Sequence, residues 1–259
     1  MAITYSAPDR GTEAWTAWTA VAAGLTAAAG VSALNGLTCW RALERLGQVR
    51  ARDVAPGVGA VVFLALVGLV SGVVIEAPGQ SIRGASLVGV AILGSFPTLM
   101  AMVGIAKLAR SGPAPSAPTQ VETLLRLGIL LRRLLWSLGS LVALSTLALG
   151  VSSQLRASTI GVPESQVGVL ILGGLGSAIV ALAYVPVATS LRNEVRAVGR
   201  AMFPMEDTLD GESALSRLRG RAELERLAGG ERGIFDELTK GLVILAPVIT
   251  TAIGTYVTG

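Results

Sequence analysis

The side chains able to do chemistry within the apolar stretches of this chain are hydroxyls and a single amide. Asn35, Ser95, Pro97, Thr98, Thr250 and Thr251 stand out, joined by Ser140, Ser145 and Thr146. Pro97 and Pro247 each remove a helix hydrogen bond and free a carbonyl, so these residues suit a narrow polar lining across a membrane. The same residues also suit hydrogen bonds between packed helices. Asn35 is the most pointed of them, because the chain has only one other asparagine, Asn193.

Charge supplies the second chemistry. Arg126, Arg132 and Arg133 form one basic group, and Arg192, Arg196 and Arg200 repeat at every fourth residue along one helical face. Like charges so spaced repel unless anions lie opposite. They read as contacts to anionic lipid headgroups or as a basic vestibule for a small anion. Nucleic acid is not expected, since no aromatic platform accompanies the charge.

Much is excluded. The chain has no histidine, so the usual neutral-pH proton carrier and the commonest metal ligand are both missing. Cys39 is the one cysteine and can form neither an internal disulfide nor a thiolate cluster. Neither lysine follows a glycine, so no phosphate-binding loop ends in Gly-Lys. No aspartate lies within an apolar stretch, against an intramembrane aspartyl protease. The acidic group Glu206, Asp207, Asp210 and Glu212 lacks calcium-loop spacing. Glu76 and Lys107 lie at the edges of apolar segments, not at mid-depth where a coupled transporter holds its titrating group. The expectation is a non-enzymatic protein with no cofactor and no metal.

These residues must be positioned by helices in lipid. Hydrophobic residues make up 52% of the 259 and charged ones 15%, a balance outside the range of soluble domains. With 32 glycines and 4% aromatics, the apolar mass is small enough for close helix approach. About 20 apolar residues cross a ~30 Å hydrocarbon layer. Segments of that kind fall at roughly 15–40, 57–75, 85–106, 134–153 and 167–191, with a shorter sixth at 242–257. The expected fold is therefore an all-α polytopic membrane protein of six spans, one membrane domain with a polar loop at 192–240.

Six spans place all 21 basic residues except Arg10, Arg83 and Arg156 on one side. By the positive-inside rule that side is cytoplasmic and both termini lie outside. Arginine strongly outnumbers lysine, and with abundant alanine and glycine this points to a GC-rich bacterial source and its inner membrane. Trp15, Trp18, Trp40 and Trp136 fall at predicted span boundaries. Thr119 followed by Glu122 predicts a capping box after the proline-rich stretch 111–118, with Glu122 and Arg126 as a pair four apart.

Seven of nine positions match between 86–94 and 165–173, suggesting a parallel hairpin repeat. Small residues four apart at Gly68 and Gly72, and at Gly173 and Ser177, predict close helix packing, with Gly68 and Gly72 the choice for a homo-oligomer face. Two functions fit. One is an oligomeric pore or uncoupled facilitator for a small solute or anion, lined by the polar residues above. The other is a membrane scaffold whose 200–240 loop docks a cytoplasmic protein.

Overall fold

The computed structural model describes residues 13–46, 54, 56, 58–59, 82–110, 117–160, 167–204 and 211–227. Within them the chain is all helical: α1 (Glu13–Leu46), α2 (Ile82–Arg110), α3 (Ala117–Ile160), α4 (Val167–Met202) and α5 (Gly211–Leu227). Four of these, α1 to α4, are long and apolar enough to cross a membrane. The expected span at 57–75, apart from residues 58 and 59, and the one at 242–257 lie outside the described residues, as do Gly68, Gly72, Thr250 and Thr251.

Each long helix outruns the apolar segment that announced it. α3 has 44 residues, about 66 Å at 1.5 Å per residue, roughly twice a hydrocarbon layer. Its extension carries Glu122, Arg126 and several leucines, all good helix formers, so nothing stops the helix where the apolar run stops. The capping box requires correction: α3 begins at Ala117, which puts Thr119 inside the first turn, where its carbonyl accepts from the Thr123 hydroxyl at 2.9 Å. Pro118 is tolerated there because the N–H groups of a first turn have no intrahelical partner. The Glu122–Arg126 pair does form, at 2.6 Å.

Contacts fix the relative directions. Along α1 and α2, Ala29 meets Gly94, Gly36 meets Pro97 and Thr98, and Trp40 and Leu43 meet Gly104, so the two helices run parallel. Asn35 bonds to Ser137, while Trp18 and Leu25 share a cluster with Leu141 and Ala148, so α3 runs antiparallel to α1. Gly173 faces Thr146, Gly176 faces Val142 and Gly128 faces Leu191, which makes α4 antiparallel to α3. Consequently the C-terminal ends of α1, α2 and α4 and the N-terminal end of α3 gather at one end of the bundle. That end carries Arg45, Lys107, Arg110 and Arg200 in last helical turns.

The larger core lies in the arginine-rich half and draws on all four long helices, with Leu43, Met102, Ile105, Leu127, Leu134 and Tyr184 fully buried. A smaller core at the far end joins α1, α2 and α3 around Trp18, Leu25, Leu87 and Leu141. Trp18 is only 1% exposed, so it packs inside the bundle and does not mark the boundary on the outer surface. The outer surface is apolar: Leu34 is 63% exposed, Leu93 75% and Leu182 61%. Such a surface is costly in water and neutral against acyl chains, so the bundle is built to sit in lipid.

Candidate functional site

The polar residues at depth converge on two seams. Between α1 and α2 two glycines bring the backbones together. A Cβ on Gly36 would lie 2.4 Å from the Pro97 carbonyl carbon and the Thr98 nitrogen, and one on Gly94 would lie 2.6 Å from the Ala29 Cβ. At that separation short side chains reach across. The Thr98 hydroxyl donates to the Ser32 carbonyl at 2.8 Å and lies 3.0 Å from the Ser32 hydroxyl. Thr98 has a single proton, already given to the carbonyl, so Ser32 is the donor in the second bond. Both side chains are buried.

The second seam joins α1 to α3 and is centred on Asn35. Its Oδ1 accepts from the Arg133 guanidinium at 2.6 Å and its Nδ2 donates to the Ser137 hydroxyl at 3.0 Å. The Asn35 carbonyl also accepts from Thr38 at 2.9 Å. Both halves of the amide are thus occupied. The sequence placed Asn35 and Arg133 in separate groups, one for a lining and one for a headgroup contact. Only their meeting across 98 residues makes them one unit.

The other polar residues at depth turn back on their own helices. Ser95 donates to the Ile92 carbonyl, Ser145 to Leu141, Thr146 to Val142 and Ser177 to Gly173, each between 2.7 and 3.0 Å. Such bonds satisfy a hydroxyl without a partner helix. Pro97 stands within α2, opposite Gly36. Gly173 packs against Thr146, while Gly94, its counterpart in the suspected repeat, packs against Ala29. The two matched stretches therefore face different neighbours.

The arginine-rich end holds the remaining candidates. Arg126 is paired with Glu122, and Arg196 lies 3.7 Å from Glu225 of α5. Arg200 is exposed, and Arg132 and Arg192 are partly buried. Arg110 donates to Ser190 at 2.9 Å, tying α2 to α4. Among the described residues no group of three or more histidine, cysteine, aspartate or glutamate side chains could hold a metal ion.

One feature had no sequence signal beyond a charged stretch: α5 is fastened to the end of α4. Arg217 donates to the Pro204 carbonyl and Arg221 to the Phe203 carbonyl, just past the last turn of α4. Positive charge there complements the negative end of the helix dipole. The Phe203 ring lies against Gly220, and Leu224 lies against Gly199. One face of α5 is thereby used. The other presents Leu215 and Leu218 to solvent, beside a shallow concavity lined by Arg219, Gly220, Ala222, Glu223 and Arg226. Comparison with known proteins finds no matching family, no matching curated protein and no matching solved structure.

Proposed function

We propose that this chain is a membrane-anchored docking subunit, in which the helical bundle fixes α5 at the cytoplasmic face of a bacterial inner membrane and α5 binds a soluble protein. The observation that carries this reading is the two-sided character of α5. Arg217 and Arg221 hold it to α4, leaving Leu215 and Leu218 outward among charges of both signs. Exposed apolar residues rimmed by charge are the usual composition of a protein contact.

The bundle itself favours an anchor over a conduit. Ser32, Asn35, Thr98 and Ser137 spend their polar groups on one another, and glycines close the α1–α2 seam. The parallel run of α1 and α2 fits a chain that crosses once more between Leu46 and Ile82, as the expected span at 57–75 would. The concentration of arginine at one end of the bundle supports placing that end in the cytoplasm.

The test is a photo-crosslinking residue placed at Leu218 of the full-length protein in its native membrane, with Leu93 as the lipid-facing control. A crosslink to a soluble protein at position 218, absent at 93 and lost with Leu215→Glu, is the expected result. Crosslinks only to a second copy of the chain would reassign the face to a homo-oligomer. No protein crosslink, together with selective solute flux through liposomes carrying the purified protein, would replace this reading with an oligomeric pore whose lining includes Asn35, Ser95, Pro97, Thr98, Thr250 and Thr251.

A further inference from the structure

Arg133 is an exposed arginine at membrane depth whose only hydrogen-bond partner among the described residues is a neutral amide, Asn35. Asn35 stands six residues before Arg41 and ten before Arg45, so at 1.5 Å per residue the Asn35–Arg133 contact lies about 9 and 15 Å deeper than these two arginines at the end of α1. Charge at that depth is costly unless it is balanced. No carboxylate among the described residues pairs with Arg133. Glu122 is taken by Arg126, and Glu44 accepts from Trp40 at 2.7 Å on the face of α1 turned toward α2.

The surroundings specify what balances it. Guanidinium carries five N–H donors in a planar fork, and one of them is committed to Asn35, which leaves a fork oriented by that bond. Trp136 lies three residues along α3, about 4.5 Å farther from the arginine-rich end, and is 51% exposed, as suits an indole just beneath a headgroup. Val31 and Leu34 on α1 are exposed apolar side chains on the side of the Asn35–Arg133 contact away from the arginine-rich end. Thr38, Arg41 and Arg45 follow Asn35 down one face of α1 and are exposed. A phosphodiester for the fork, apolar surface beside it and further positive charge toward the cytoplasmic end describe one ligand.

We propose that the groove between α1 and α3 at Arg133 is a specific binding site for an anionic phospholipid, its phosphodiester held by the Arg133 guanidinium and its acyl chains running away from the arginine-rich end past Val31 and Leu34 of α1 and Trp136 of α3. Asn35 is a positioning residue: it orients the fork and does not itself touch the lipid. This goes beyond the general attraction of basic ends to a negative membrane, because it assigns one arginine, one groove and a fixed geometry. It is independent of what α5 binds.

The experiment uses the full chain in phosphatidylcholine nanodiscs containing a few per cent phosphatidylglycerol with a photoreactive acyl chain. Labelling is expected to concentrate within 24–35 and 133–144, on the bilayer side of the contact, to be competed by unlabelled phosphatidylglycerol, and to fall about tenfold in Arg133→Gln, the loss of one charge-assisted contact. Arg126→Gln should leave it nearly unchanged, because that arginine is already paired. Leu93 and Leu182 are equally exposed on other faces and serve as internal controls. Labelling spread evenly over those faces overturns the proposal, and so does labelling of Arg133→Gln at the wild-type level. Competition by inorganic phosphate overturns the lipid as the source and assigns the site to a soluble anion. Should Arg133→Gln fail to fold, the wild-type labelling map and its competition by phosphatidylglycerol against phosphatidylcholine decide the question alone.

Discussion

Gly36→Ala should separate α1 from α2, and the size of the effect follows from the geometry. The added Cβ would sit 2.4 Å from two backbone atoms of Pro97 and Thr98, where ordinary contact begins at 3.4 Å. Backbone cannot rotate aside as a side-chain end can, so the helices must part by about 1 Å at that point. The Ser32–Thr98 bonds, at 2.8 and 3.0 Å, lie one turn away and would stretch beyond hydrogen-bonding range. Overpacking costs about 1–3 kcal/mol, and two interhelical bonds at about 0.6 kcal/mol each bring the total to roughly 2–4 kcal/mol. Gly24→Ala and Gly30→Ala are the controls: a Cβ at either meets nothing within 4 Å, so the change should be neutral or mildly stabilising. The assay is unfolding of the purified protein in mixed micelles of rising sodium dodecyl sulfate fraction. Thr98→Val supplies a second check, since it should cost less in the Gly36→Ala background than in the wild type. A Gly36→Ala protein that unfolds alongside Gly30→Ala would refute the close approach and the polar seam built on it.

Other outcomes follow from the same contacts. Asn35→Leu removes the bonds to Ser137 and Arg133 together and should destabilise the bundle by about 1–2 kcal/mol in the same titration, more than Ser140→Ala, whose hydroxyl bonds only to its own helix. Glu122→Gln should change stability by less than about 0.5 kcal/mol, because both members of its pair are about 60% exposed. Cys39 is 1% exposed, so maleimide labelling should be negligible in the folded protein and complete after denaturation, as read by mass spectrometry. Replacing Arg217 and Arg221 together with glutamine should release α5 and raise its protease sensitivity several-fold while the long helices stay protected.

Membrane helices were legible because hydropathy and length are local properties, and α1, α2 and α4 all contain the segments expected of them. Helix ends were less so: α3 continues past its apolar run through residues with no reason to break it, and Pro118 enters its first turn instead of preceding it. The polar residues at depth were each visible as exceptions in apolar sequence. Their bonding was not, because Ser32 and Thr98 are 66 residues apart and a hydroxyl that bonds across helices looks the same in sequence as one that bonds within. Ser95 and Thr98 are three residues apart, yet one turns back to Ile92 and the other reaches α1. Trp18 taught the same lesson about position: an indole near the end of an apolar run can face lipid or the interior, and here it faces the interior.

The amino-acid sequence by itself determined the medium and the element type. Without water to satisfy backbone groups, long apolar segments must be helical, and the arginines had to collect where those helices end. Tertiary structure decided which polar groups meet. Glycines at 36 and 94 set how close two helices lie, that closeness chose Thr98 as the partner of Ser32, and the antiparallel run of α3 brought Arg133 to Asn35. Pairings of this kind depend on crossing geometry and register between distant segments, and these are set by packing across the interface, which no single helix encodes.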